Sequence, residues 1–300
     1  MATTAADEAV ATTASGSGGG FASRIVRRLT SGPVAVVLAV IGVLWLLPTF
    51  GLLMSSFRSA ADNNQSGWWT AITDPAQLTI ANYQTLLDNE GLVRSFFNTV
   101  LISVPSSLIL VLIAALAAFA FAWIDFKGRD VIFLVVVALL VVPLQISLIP
   151  VSRLYGQLGL FGTIPGVILY HVAFGLPFAI FLLRNFFIGI PAELLEAARM
   201  DGAGEMKVFF RVVLPLGIPA IASLLIFQFM WVWNDLLVAL VFAGPAAQPL
   251  TAAIREQLRT FGGNVDIIAT GSFIQMAVPL IVFFAFQRYF VQGLLAGSQR

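Results

Sequence analysis

The chain is 300 residues long, 59% hydrophobic and only 10% charged, where an ordinary soluble domain carries about a quarter charged residues. It has no cysteine, which excludes disulfides, thiolate metal sites and cysteine nucleophiles, and its formal net charge of +1 excludes the concentrated basic surface that nucleic acid requires. This is the composition of an all-α integral membrane protein.

Residues 1–23 are rich in Ala, Thr, Ser and Gly and end in "SGSGGG". The stretch has no apolar core, so it reads as a disordered tail and not as a cleavable signal. Arg24, Arg27 and Arg28 follow, and the domain from 24 to 300 then holds six apolar segments, at about 33–57, 95–123, 131–152, 163–183, 211–242 and 267–287. About 20 helical residues cross roughly 30 Å of hydrocarbon, so each is long enough to span. The third, "VIFLVVVALLVVPLQISLIPVS", is apolar on every side, as a lipid-facing helix is and a soluble core helix is not.

The loops fix the orientation. The N-terminus, the 124–130 loop, the 184–211 segment and the C-terminus together carry eleven Lys and Arg, and the remaining loops carry five. The excess marks the cytoplasmic side, which puts both termini and the segment 190–206 in the cytoplasm of a plasma membrane. Outside lie an acidic loop, 58–94, with Trp68 and Trp69 suited to a membrane interface, and a second loop, 243–266, whose Pro and Gly ends bracket a short helix. Prolines fall within or at the ends of many spans, among them Pro143, Pro177, Pro215 and Pro219, where neighbouring helices or a cavity must satisfy the freed carbonyls.

No Gly-rich loop of the G-x-x-x-x-G-K-[ST] form is present, so the chain does not bind ATP by that device. Ion-coupled pumps bury ionisable groups at membrane depth, and here the spans hold only His171 and Asp235. No set of residues has metal-ligand or catalytic-triad spacing, so no catalytic or metal residue is assigned.

The segment "RNFFIGIPAELLEAARMDGAGEMKVFFRVVLPLGIP", 184–219, is the exception to the apolar pattern. Pro191 suits the first turn of a helix, Glu193 and Glu196 suit its positive end, Arg199 can pair with Glu196, and Gly202 can take the left-handed conformation that ends it. Leu194, Leu195, Ala197 and Ala198 form a low apolar surface beside these charges and Asp201. A second helix starts near Glu205 and runs into the fifth span. These residues fit a docking helix and equally an amphipathic helix lying on the bilayer, although interfacial anchors favour Lys and Arg on the polar face.

Glu196-Ala197-Ala198, three residues, Gly202, nine residues and Val212-x-Leu214-Pro215 resemble the EAA loop of ABC importer membrane subunits, with Val212 in place of Ile. "VVPLQISLIPVSRLYGQLGL", "FAIFLLRNFF" and "QRYFVQGLLAGS" extend the resemblance over about residues 34–298, toward the smaller permease of the carbohydrate-uptake class. The chain's end, Gly297-Ser298-Gln299-Arg300, departs from the family's usual tail. The resemblance implies a six-helix type I importer fold with a coupling helix between the fourth and fifth spans. It implies a separate ATPase dimer, gripping Glu196 and its neighbours and binding the ATP and Mg that this chain does not. Ala197 and Ala198 would then permit close seating and Gly202 supply the turn. It further implies a second, homologous permease and an extracytoplasmic sugar-binding protein reached by the 243–266 loop. "MWVWNDLLVALVF" leans the cargo toward a maltose-like or trehalose-like α-glucoside.

Trp231, Trp233, Asn234 and Asp235 are the candidates for the sugar path or a gate. If the fifth span continues to Phe242, Asp235 lies about 10 to 12 Å inside the outer helix end. Aromatic faces with hydrogen-bonding groups suit a sugar, while an aromatic belt with Asp235 bonded across helices suits a gate. The competing class, an ion-coupled transporter acting without an ATPase, would need a buried carboxylate set.

Overall fold

The apolar segments of 20 and more residues have no water to hydrogen-bond in a bilayer, so their backbones must close as helices. In the computed structural model, which describes residues 32–261 and 265–297, every long element is a helix. Five are long and apolar enough to span a membrane, or six if one bent pair is counted as a span. The expected tail at 1–23 and the last three residues lie outside the described residues.

The chain falls into two units. The first contributes α1, Gly32–Ser56, a single apolar helix with Pro48 inside it. The second starts at Ser55. It opens on an outer platform made of α2 (Ala60–Gln65), α3 (Thr70–Thr73), a 3₁₀ turn (Pro75–Gln77) and α4 (Ala81–Asp88). The second span, α5, runs from Glu90 to Trp123, capped by Asn89, whose side-chain oxygen accepts from the Leu92 N–H.

Two segments read as single spans are broken. The third consists of α6 (Arg129–Ala138), a 3₁₀ turn (Leu139–Val141) and α7 (Leu144–Leu158), with the two helices bent by 102°. Pro143 accounts for the break. It lacks an N–H and forces the residue before it out of the helical region, and Val142 sits at φ −71°, ψ 116°. The fourth span, α8, is Ile164–Phe187, with Thr163 as its N-cap. A short charged helix, α9 (Ala192–Met200), follows.

The fifth span begins six residues earlier than the apolar run suggests and ends nine earlier. It comprises α10 (Glu205–Val208), a π turn (Phe209–Val213) and α11 (Leu214–Trp233). The π turn sits just before Pro215, which can neither donate to the Arg211 carbonyl nor fit its ring beneath it; the looser turn absorbs the mismatch. After Trp233 the chain leaves the helix for three residues and restarts as α12 (Leu237–Phe242). The outer helix α13 (Leu250–Phe261) and the sixth span, α14 (Val265–Gly297), complete the chain.

The core of the second unit is the α5–α8 pair, which pack along much of their length. Small residues let them approach: Ala114, Ala115 and Ala118 on α5 and Gly175 and Ala179 on α8 are buried at the contact. A methyl group on Gly175 would come within 2.4 Å of Leu110 Cδ1. Around this pair, Phe119, Leu183, Phe187, Phe209, Val213 and Leu224 form the larger apolar cluster, and Ile102, Val167, Tyr170, Val232 and Phe242 form a second.

Candidate functional site

Helix α9 ends at the Asp-Gly turn as the spacing anticipates, but Pro191 stands at its N-cap and not in its first turn. Pro191, with ψ 128°, precedes it, and Glu193 occupies its first turn. Its end is a Schellman motif: Gly202, at φ +77°, donates its N–H to the Arg199 carbonyl at 2.9 Å, and Ala203 donates to Ala198 at 3.0 Å. Residues three and four apart share a helix face, so the nine residues divide cleanly. Glu193, Glu196, Ala197 and Met200 face outward and are exposed, Met200 at 88%, with Leu194 and Asp201 exposed beside them. Leu195 faces inward and is fully buried in the larger core cluster.

Two expectations for this helix are corrected. Arg199 does not pair with Glu196. It donates to both carboxylate oxygens of Glu205, at 2.9 and 3.1 Å, because the tight turn at Gly202 brings α10 alongside α9. That hydrogen bond to the Glu205 carboxylate holds the guanidinium pKa above its ordinary value. The outer apolar surface is also smaller than expected, since Ala198 is half-buried against the core and only Ala197 of the pair faces out. Leu214 is half-buried and Pro215 exposed at the start of α11, directly after the π turn.

At the other end of the bundle, the cluster of Trp231, Trp233, Asn234 and Asp235 is divided among three neighbours. Trp233, 1% exposed, donates its indole N–H to the Gln275 carbonyl at 2.8 Å, and Gln275 Nε2 returns a bond to the Trp233 carbonyl at 2.8 Å. This reciprocal clamp ties α11 to α14 and leaves no Trp233 face for a sugar. Trp231 is 36% exposed and meets the His171 ring edge-on at 6.0 Å. Asn234 lines a groove of about 750 Å³ with Thr251, Arg255 and Gln275 above Met276 and Phe283.

Asp235 is not inside a continuing helix. It lies in the break, where its carboxylate accepts the N–H groups of Val238 at 3.3 Å and Ala239 at 3.0 Å and so starts α12. Capturing those donors for a new helix is what ends the old one. Its Oδ2 is 3.7 Å from His171 Nε2, beyond hydrogen-bond distance. Ser103 and Ser106 on α5, His171 Nδ1 on α8 and Gln228 Nε2 on α11 are buried without a hydrogen-bond partner, so the interior between these three helices is the polar part of the bundle.

Several structural residues were not singled out from the sequence. Arg58, fully buried, donates to Gln77, Asn63, Ser66 and Thr70 side chains and to the Asp62 and Ser66 carbonyls, and so organises the outer platform. Asn98 pins the loop before α13 by donating to the Ala246 and Gln248 carbonyls, both at 3.0 Å. For Gln275, at the clamp with Trp233, the usable signal was a polar residue within an apolar run.

Five or six helices long and apolar enough to span, one of them a bent pair, with a short charged helix packed on the bundle, describe a multi-pass membrane protein. The chain belongs to the family of binding-protein-dependent transport system inner membrane components, which it matches over residues 90–295. It is 48% identical over 271 residues to the osmoprotective compounds uptake permease protein GgtD of Synechocystis sp., covering 89% of this chain and 91% of that protein. It is 49% identical over 253 residues to the alpha-glucoside transport system permease protein AglG of Rhizobium meliloti, covering 82% of this chain and 66% of AglG. In fold it matches a chain of a bacterial ABC transporter involved in import of the acidic polysaccharide alginate, at a TM-score of 0.74 and 22% identity, over 90% of this chain and 98% of that one. A second match, at a TM-score of 0.64 and 18% identity, covers 87% of this chain and 95% of a chain of the alginate transporter in complex with an alginate pentasaccharide-bound periplasmic protein. The architecture is that of a type I ABC importer permease, a multi-pass membrane transport component.

Proposed function

We propose that this chain is one permease of an ATP-driven sugar importer in a bacterial plasma membrane, with both termini cytoplasmic. The observation that carries the reading is the division of α9 into two faces. Glu193, Glu196, Ala197, Met200 and Asp201 project from the bundle, while Leu195 is buried in it. A helix that merely lay on a bilayer would offer apolar bulk and cations to the lipid. This one offers carboxylates around a small apolar centre, which suits a protein socket carrying positive charge.

The socket is a separate ATPase dimer that binds ATP and Mg. Its closure moves α9, and the bundle passes from inward-facing to outward-facing to receive a sugar from an extracytoplasmic binding protein. Nucleotide shifts that equilibrium because the partner has different affinities for the two states. A second, homologous permease completes the pathway. The relatives named for α-glucosides and osmoprotective compounds support an α-glucoside or disaccharide cargo. Trp231 and Asp235, beside His171, suit a gate, and Asn234 is the member of the cluster open to a passing sugar. An ion-coupled alternative would have to run on the single His171–Asp235 pair, and the family relationship speaks against it.

Co-purification tests the reading. The complex should contain an ATPase, a second permease and, with sugar, a binding protein, and Glu196→Lys should strip the ATPase away and abolish uptake. Uptake by this chain in liposomes without an ATPase would refute it. Titrating sugars against the cognate binding protein identifies the cargo; a binding protein indifferent to α-glucosides would remove that part.

A further inference from the structure

Helix α9 is joined to the bundle through two short links, 188–191 and 201–204, that contain Gly189, Pro191, Gly202 and Gly204. The glycines let these links bend. Pushed only through them, a nine-residue helix would rock in place and deliver little displacement to the spans.

Side-chain ties bypass both links. Arg199 Nη2, besides its bonds to Glu205, donates to the Trp123 carbonyl at the end of α5, at 3.1 Å. The Trp123 indole N–H in turn donates to the Phe187 carbonyl at the end of α8, at 3.0 Å. Arg184, on α8, donates back to the Phe121 carbonyl at 3.2 Å and lays its guanidinium 4.0 Å from the centre of the Phe133 ring on α6. The acceptors are all last-turn helix carbonyls, which have no onward partner within their own helix, and two of the three donors are cations favoured at that end of a helix dipole. The cytoplasmic ends of α5, α6 and α8 are thus strapped to one another and to α9.

We infer that Arg199, Trp123 and Arg184 are positioning residues that make α9 and the inner ends of three spans move as one body. The inference rests on the coupling reading above but concerns the opposite face of the helix. It states that displacement passes from α9 into the bundle through Arg199 and Trp123 and not through the chain links. Charge-assisted bonds to helix carbonyls are the stronger class of hydrogen bond, so losing the Arg199 tie should cost about tenfold in transport per turnover.

The experiment uses the whole importer in proteoliposomes and reads ATP hydrolysed and sugar imported together. Arg199→Gln should leave the ATPase bound and hydrolysis within about twofold, while sugar imported per ATP falls about tenfold. Arg199→Lys, which keeps a charge but cannot span both Glu205 and the Trp123 carbonyl, should recover part of that ratio. Trp123→Phe, which removes the indole N–H and keeps an aromatic ring in its place, should lower the ratio about threefold with only a small loss of thermal stability. Unaltered sugar per ATP in Arg199→Gln and Trp123→Phe would overturn the inference, as would a parallel fall in hydrolysis and uptake. So would loss of the ATPase from Arg199→Gln, which would make Arg199 a docking residue. Glu196→Lys in the same assay reports separately on docking: if it assembles and transports normally, the coupling reading fails whatever Arg199 does.

Discussion

Replacing Arg58 should open the outer platform without disturbing the spans. The guanidinium is fully buried, and among the described residues no carboxylate pairs with it. Its charge is balanced by neutral acceptors instead: Nε on Gln77 at 3.1 Å, Nη1 on the Ser66 carbonyl at 3.1 Å, and Nη2 on the Asp62 carbonyl at 2.9 Å and on Ser66 Oγ. These acceptors come from α2, the loop after it and the 3₁₀ turn, elements that share few apolar contacts. A lysine has three donors on a point charge and cannot reach the same fork. Arg58→Lys loses two or three charged hydrogen bonds at about 1.5–3 kcal/mol each, offset by water reaching the freed acceptors, so about 3 kcal/mol of local stability is lost. Arg58→Met loses all of them and should cost more. Hydrogen exchange of residues 57–89 in detergent should rise by about a hundredfold in Arg58→Lys, while exchange in α5 and α8 stays as in the parent. Equal protection of the platform in both proteins would refute the claim that Arg58 organises it; faster exchange throughout would show that the platform is not an independent unit of stability.

Gly175→Ala should destabilise the bundle by about 1–3 kcal/mol, because its methyl meets Leu110 Cδ1 at 2.4 Å in a site with no spare volume. Combining it with Leu110→Ala should cost less than the two separately in thermal unfolding, and strict additivity would refute the close approach. Trp233→Phe, which strands the Gln275 carbonyl, should lower thermal stability by about 1–3 kcal/mol, whereas Trp231→Phe should leave stability within about 0.5 kcal/mol. The reverse order would show the clamp misassigned. Asp235→Asn keeps an acceptor for the α12 N–H groups but no charge for His171, so unchanged uptake would eliminate an ionic role for the pair and reduced uptake would support the gate.

Much of this architecture could be read from the residues, because the bilayer leaves few choices. Six apolar stretches had to be helices, and the Gly202 turn followed from a helix pattern ending in Asp-Gly. What could not be read were the breaks. Pro143 and Pro215 occupy similar apolar surroundings, yet one bends its span by 102° and the other is accommodated by a π turn in a continuous span. The difference depends on what each helix packs against, which a single sequence does not display. The break at Asp235 was missed for a related reason. A carboxylate in an apolar run reads as part of one continuous helix, whereas three non-helical residues around it allow it to cap the next helix. Arg199 was given the wrong partner because spacing along one helix favours Glu196, while the turn at Gly202 supplies a better-placed Glu205.

On the proposed coupling, the Glu-Ala-Ala spacing has a mechanical reason that composition alone does not provide. A helix that both docks on a partner and drives its own bundle needs two faces, and 3.6 residues per turn assigns them. Counting from Glu196, positions 193, 197 and 200 share the outward face, and 195, 198 and 199 share the inward one. The second alanine of the motif falls inward, at Ala198, where it is half-buried against the core. A larger residue there would lift α9 off the bundle and stretch the 3.1 Å bond from Arg199 to Trp123. Ala197 faces away from the bundle, where, on the proposed coupling, a larger residue would obstruct seating of the partner and leave the bundle intact. The two adjacent alanines should therefore fail differently. Ala198→Leu should lower sugar imported per ATP with the ATPase still bound, and Ala197→Leu should weaken ATPase binding. If both variants simply lost the ATPase, the two-faced account of this helix would be wrong.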